Sequence, residues 1–275
     1  MWGNREMVLA LIVVAALHGT LNGAIQLGMA LDSVDDRYEG CRNEVLKEGH
    51  DLLRKELAAS PGFQKAWAVK KDCTPVVPGG LKEHGQAVLA FAYGGKAFRK
   101  EFNHAVETMG GNHSFPFQSL HFLLTDAMSL LSEGDVCRTV YRLSQQKYSA
   151  QKGAKVRLGG FMTASSDASM VLEDPDLEGG VLFNITSCFV VNLEKMTCGK
   201  EEMLLLPAEE YTVEDVHKVD DDDHFSHTSI TLKHHGFSST HNCYLEPRAQ
   251  KGSSTHVVGC IWAMYLTVAV FGLLN

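Results

Sequence analysis

The chain has no surplus of positive charge. Its 25 Lys and Arg stand against 33 Asp and Glu, and the net charge of -8 repels phosphate backbones, which excludes a protein that coats nucleic acid. Nor is it short of apolar residues, and 45% hydrophobic content excludes a disordered chain. No two of the seven cysteines show Cys-x-x-Cys spacing, so a zinc site is not supported. No Gly-x-Gly-x-x-Gly follows a strand-like run, which removes the usual dinucleotide fold. Internal repeats and Pro- or Ser-rich linkers are missing as well. What remains is one domain of about 230 residues between two apolar ends.

Those ends carry their own chemistry. Met7 to Leu17 is an uninterrupted apolar run after Arg5, followed by Gly19, Asn22, Gly23 and Ala24. It is too short to cross a bilayer of about 30 Å and has the pattern of a signal peptide at 1–24. Val257 to Asn275 holds no charge and follows Gly252-Ser253-Ser254. A tail of this kind at 255–275 predicts replacement by a glycosylphosphatidylinositol lipid, with a transmembrane helix as the alternative. Either anchor leaves residues 25–254 on the extracellular face of the plasma membrane, and release would make the protein secreted.

The cysteines suit an oxidising compartment. Cys260 lies in the tail, leaving Cys41, Cys73, Cys137, Cys188, Cys198 and Cys243, among which spacing alone selects no pairing. Asn112-His113-Ser114 and Asn184-Ile185-Thr186 are glycosylation sequons, the second inside a strand-like run.

The first half of the body reads as helix. Leu120, Leu123, Leu124, Ala127, Leu130 and Leu131 recur at helical spacing, with Pro116 before them and Gly134 after. Residues 42–58 and 84–106 follow, the latter broken at Gly94-Gly95. From Val136 the period turns strand-like, over Val136 to Arg142, Val181 to Asn192, Met203 to Leu206, Tyr211 to Val219 and Ser226 to Lys233. Helices first and strands later predict an α+β fold.

Four segments in order carry a resemblance: Asp35-Asp36-Arg37-Tyr38-Glu39-Gly40-Cys41, Val140-Tyr141-Arg142, Gly160-Phe161-Met162-Thr163-Ala164-Ser165-Ser166, and Glu201-Glu202-Met203-Leu204-Leu205-Leu206-Pro207. Together with His241-Asn242-Cys243 they resemble the vertebrate ecto-ADP-ribosyltransferases, lipid-anchored enzymes that cleave NAD and pass ADP-ribose to arginine. The similarity runs from about Asp35 to Tyr244, nearly the whole body.

That resemblance implies a helical N-terminal part packed on a two-sheet β core, with NAD, a substrate, in the cleft between the sheets and no metal. It implies Cys41–Cys243 and Cys137–Cys188 bridges and leaves Cys73 and Cys198 for a third. Glu202 becomes the carboxylate beside the oxocarbenium-like ribose, reaching its hydroxyl. Arg142 becomes the holder of the NAD phosphates. Thr163 and Ser165 occupy the Ser-x-Ser element, and Leu143 stands where the family usually has glycine.

Lys200 stands where arginine-specific members have a glutamate that orients the incoming guanidinium, and an ammonium there repels it. Alternation turns Glu201 to the side opposite Glu202. Transfer of ADP-ribose to arginine on cell-surface or extracellular acceptor proteins is still the activity that the resemblance implies. NAD hydrolysis with water as acceptor, and a catalytically silent surface glycoprotein of the same fold, are the alternatives. The Asp220 to His224 run, with His227, His234, His235 and His241 near it, reads as a solvated loop between strands and not as a metal site. His84 and His104 read as structural.

Overall fold

Helix α1 (Arg42–Ala59) ends at Ser60, whose side chain accepts from the Phe63 N–H at 3.2 Å and so starts α2 (Pro61–Trp67). In this computed structural model residues 23–69, 75–134, 136–199, 201–220 and 225–243 are described. The leader-like run, Cys73, Lys200 and the C-terminal tail lie outside them. Helices α3 (Lys82–Tyr93) and α4 (Lys96–Thr108) are separated at Gly94-Gly95. A Cβ on Gly94 would lie 2.3 Å from the Ala90 carbonyl oxygen, and Gly95 has φ +96°, so neither site suits another residue. Helix α5 (Gln118–Leu131) is buried along most of its length.

The strands are β1 (Ile25–Gln26), β2 (Arg138–Ser144), β3 (Tyr148–Ser149), β4 (Lys155–Arg157), β5 (Met162–Ala164), β6 (Val181–Ser187), β7 (Val191–Asn192), β8 (Met203–Leu205), β9 (Glu209–Val219) and β10 (His227–Phe237). A short helix, α6 (Ser169–Leu172), follows β5. The largest sheet has the order β2-β6-β10-β9-β4, antiparallel except where β10 runs parallel to β6; a second is β5-β8-β7, and β1 and β3 form a short parallel pair. This is the α+β architecture that the period change predicts, and its two main sheets are those that the resemblance implies.

The apolar run Val181 to Asn192 is two strands and not one. At its centre the Cys188 N–H is taken by the Glu209 carboxylate at 3.1 Å and the Phe189 N–H by the Ser187 hydroxyl at 3.1 Å. Those bonds replace ladder partners and carry the chain from the larger sheet to the smaller one. Disulfides join Cys137 to Cys188 and Cys41 to Cys243. Cys198 is also disulfide-bonded, and Cys73, its expected partner, lies outside the described residues.

The smaller sheet has a different core on each face. Met162 and Ala164 on β5, with Met203 and Leu205 on β8, pack against Val140, Phe183 and Ile185 of the larger sheet. Phe161, Leu204 and Leu206 face the helices, among Phe91, Phe98, Phe102, Phe117 and Leu124. Alternation along β5 and β8 produces this division.

The segment Asp35–Cys41 is a structural knot. Asp35 and Arg157 pair with no side-chain exposure, and Asp35 also accepts from the Thr240 N–H at 2.7 Å, the Thr240 hydroxyl at 2.6 Å and the His241 N–H at 3.0 Å. Asp36 accepts from the Cys243 N–H at 2.8 Å, and Asn242 exchanges two bonds with the Glu39 backbone.

Two buried groups in the helical half titrate with opposite effects. Glu56 accepts from the N–H groups of Gln118 (2.7 Å) and Ser119 (3.1 Å), donors left open at the start of α5, yet burial pushes its carboxyl up to about 7. His121 donates from Nε2 to the Val34 carbonyl and accepts at Nδ1 from the Tyr38 hydroxyl, both at 2.9 Å; burial pulls it down to about 4. The Glu56 contribution to stability is whole below its ordinary 4.5 and is lost as pH rises through 7. The His121 contribution is whole above its ordinary 6.5 and is lost as pH falls through 4.

Each is worth about 3 kcal/mol, and over the shared window they offset. Glu56→Gln should unmask the histidine. Its unfolding free energy in urea is expected to fall by about 3 kcal/mol between pH 7 and pH 4, more steeply than the parent's. Parallel profiles for the two proteins would reject this account.

Candidate active site

Strands β5 and β8 pair in the register Met162↔Leu205, Thr163↔Leu204 and Ala164↔Met203. One step further, the same register sets Ser165 opposite Glu202. Alternation then puts Thr163, Ser165, Glu202 and Leu204 on one face, the one turned towards the helices. Glu201 falls on the reverse face, where its carboxylate accepts from the Ser166 hydroxyl at 2.8 Å. The two adjacent glutamates are thus separated by the pleat. Lys200, the residue expected to repel an acceptor guanidinium, lies outside the described residues.

Arg142 reaches this face from the other sheet. It lies inside β2, which continues to Ser144, and not at the end of a strand as the sequence pattern suggests. The bridge Tyr141↔Ser165, with two bonds of 2.8 Å, fastens β2 to the end of β5. From there Arg142 Nη1 donates to the Thr163 carbonyl at 2.8 Å. Burial draws the Arg142 guanidinium below its ordinary pKa; Tyr148 and Glu107 act against that fall and Arg99 adds to it. An arginine so far above neutrality stays charged, and the rest of its fork suits a phosphate. Leu143 turns its side chain to the opposite face, into a cluster with Tyr141, Leu172, Leu177 and Phe225. Its backbone has no positive φ, so the conformation there makes no demand for glycine.

Helix α4 closes the third side with residues that sequence reasoning missed. Arg99 and Asn103 are one turn apart and share a face with Glu107. The Asn103 amide exchanges two bonds with the Phe161 backbone, at 2.8 and 3.1 Å, fixing the entry to β5. Arg99 Nη1 lies 3.4 Å from Glu202 Oε1, the carboxylate being only 12% exposed. The available signal was a polar stripe at positions 99, 103 and 107 on a helix whose other face is aromatic.

Other predicted positions are placed as follows. His84 is fully buried, with Nε2 2.7 Å from Asp126, itself held by Arg42 at 2.5 and 2.9 Å, and is structural. Asn112 is exposed in a turn, whereas Asn184 is half-buried in β6 with strands on both sides. Among the described residues no three His, Cys, Asp or Glu side chains converge as metal ligands would.

Residues 27–236 match the family described as NAD:arginine ADP-ribosyltransferase. Bovine ecto-ADP-ribosyltransferase 5 is 30% identical over 213 residues, a match spanning 70% of this chain and 66% of that protein, just under two thirds of its length. Human GPI-linked NAD(P)(+)--arginine ADP-ribosyltransferase 1 is 30% identical over 91% of this chain and 84% of its own. The crystal structure of the eucaryotic mono-ADP-ribosyltransferase ART2.2 superposes with a TM-score of 0.65 at 26% identity, covering 80% of this chain and 98% of the other. A mutant of that protein has been solved in complex with NADH.

Proposed function

Because this chain belongs to the NAD:arginine ADP-ribosyltransferase family, we propose that it cleaves the nicotinamide–ribose bond of NAD and transfers ADP-ribose to arginine side chains. One observation carries the proposal: Thr163, Ser165 and Glu202 share a face, and Arg142 is bonded to the Thr163 carbonyl at the seam between the sheets. Glu202 supplies negative charge where positive charge builds on the ribose, in a setting mostly screened from water. Arg142 offers its remaining donors to the pyrophosphate, and the Thr163 and Ser165 hydroxyls border the nicotinamide ribose. The bond from the ribose carbon to the nicotinamide nitrogen breaks, its electron pair leaving on neutral nicotinamide. An acceptor nitrogen then bonds to that carbon and loses a proton to solvent.

The setting we propose is the outer face of the plasma membrane, after removal of residues 1–24 and replacement of 255–275 by a lipid. The two apolar ends support it, as do relatives named ecto- and GPI-linked. Among the described residues no helix is long and apolar enough to cross a membrane. Cell-surface and extracellular proteins bearing arginine are the acceptors, and Asn112 is the glycosylated sequon.

Lys200 favours a second reading, hydrolysis with water as acceptor. The protein from a secretory eukaryotic host, given labelled NAD and agmatine as the arginine analogue, tests both. Labelled ADP-ribosyl-agmatine is expected beside free ADP-ribose, and free ADP-ribose alone would reject transfer. Lys200→Glu is expected to raise the transferred share by about tenfold, since it replaces a repelling charge by an attracting one.

A further inference from the structure

Helix α4 lies along the approach to β5, and three contacts fix the alignment. Arg99 reaches Glu202, which stands opposite Ser165; Asn103 holds Phe161; Glu107 lies over Gly160. A Cβ on Gly160 would be 2.9 Å from Glu107 Oε1 and 3.3 Å from Asn103 Oδ1, so glycine is what lets the carboxylate settle against this backbone. Arg99 and Glu107 are eight residues apart, about 12 Å along the helix. Arg142, bonded to the Thr163 carbonyl, faces the middle of that span, and both residues act on it.

Glu107 is partly open to solvent, and among the described residues its carboxylate makes no hydrogen bond or ion pair. Such burial as it has raises its pKa, with His104 and Arg142 acting against that rise. Its charged neighbours are thus Arg142, which the pyrophosphate engages, and His104 one turn back on α4; Tyr148 is the remaining ionisable one. An acceptor without a donor, beside the arginine assigned to phosphate, calls for a ligand hydroxyl.

Resting on the function proposed above, we propose that Glu107 receives the hydroxyls of the adenosine ribose and so selects NAD over its 2′-phosphorylated form, NADP. NAD has a ribose on each side of its pyrophosphate. With the nicotinamide ribose at Glu202 and Ser165 and the pyrophosphate at Arg142, the order along β5 leaves the second ribose to Gly160 and Glu107. Ribose hydroxyls donate to a carboxylate, whereas a 2′-phosphate brings negative charge against it. An acidic side chain serves the same purpose in unrelated dinucleotide folds.

The test compares NAD with NADP for the processed full-length protein, Glu107→Gln and Glu107→Asp, at about pH 8, above the ordinary histidine range. It reads kcat/KM for nicotinamide release and dissociation constants by calorimetry. The parent is expected to favour NAD by about tenfold or more, and Glu107→Gln to bring the two dinucleotides within about twofold. In that variant kcat with NAD should stay near the parent value, because Glu107 is remote from the scissile bond. Glu107→Asp, which keeps the charge, is expected to retain most of the preference. A merely structural role would weaken both dinucleotides together and leave the ratio unmoved, and that result overturns the inference while leaving NAD cleavage intact. A parent without preference, or an equal loss in both variants, overturns it too. In a protein without turnover the dissociation constants still read the ratio, so the proposed function would fail alone; binding of neither dinucleotide overturns both.

Discussion

Glu202→Gln is expected to lower nicotinamide release from NAD by about a hundredfold to a thousandfold. The substitution keeps the shape of the side chain and removes its charge, so it subtracts the electrostatic stabilisation of the ribose cation and little else. Its pairing with Arg99 is a single contact of 3.4 Å with a partly exposed partner, and such contacts add about 1 kcal/mol or less to stability. The melting temperature should therefore barely move while turnover collapses. Nicotinamide release and a thermal melt on the same preparation check the two halves. Turnover within about threefold of the parent would remove Glu202 from the chemistry. A parent protein with no turnover would assign the fold to the silent, binding class.

Asp35→Ala is expected to destabilise the body by about 3–5 kcal/mol, the cost of stranding a buried charge. Arg157 has no exposed side-chain surface, and its donors also serve Met29 O (2.6 Å), Ser238 O (2.6 Å) and Ala30 O (3.2 Å). Without Asp35 the guanidinium keeps its hydrogen bonds to carbonyls and loses its counter-charge. Thr240 and His241 lose an acceptor in the same step. For a domain of this size the loss corresponds to a fall of about ten degrees in melting temperature.

The measurement belongs on the disulfide-intact protein, because Cys41–Cys243 holds the same two segments together. A shift of under about two degrees would show that the bridge alone secures them. Burial by itself would raise the Asp35 pKa, but bonds from Arg157 and Thr240 outweigh it and hold the carboxyl below its usual range. Its stabilising contribution is thus present above the ordinary 3.8 and is lost as pH falls through the lower folded value.

How much of this was legible beforehand follows from the range of each interaction. Helices α1, α3, α4 and α5 were visible because their signals are local: leucines at 3-4 spacing in α5, and Gly94-Gly95 between α3 and α4; α2 and α6, at seven and four residues, are too short to show a period. Most of β9 and β10 was visible because both are long and rich in β-branched residues, while the register shifts at Thr231/Leu232 and His234/Gly236 blur their two-residue period. Strands β4 and β5, at three residues, are too short to show one. The break at Cys188 escaped because its cause, the Glu209 carboxylate, is remote in sequence. Within the site, Arg142, Thr163, Ser165 and Glu202 were found through resemblance to a family, since an arginine in a strand and an acidic pair before another are unremarkable alone. Arg99 is typical of what stays hidden, because only the packing of α4 across the β5-β8-β7 sheet gives it a partner.

The position of β10 has a consequence for biosynthesis. This strand lies between β6 and β9, so the middle of the larger sheet is the last part of it to be made. Thr240, His241 and Cys243, which complete the contacts of Asp35, Asp36 and Cys41, come later still. Until those residues clear the ribosome, the sheet is two unjoined pieces with open edges, exposed to mispairing. Completion of the fold is therefore a late event in synthesis, and a nascent chain ending before His227 lacks the centre of its sheet, not a dispensable border.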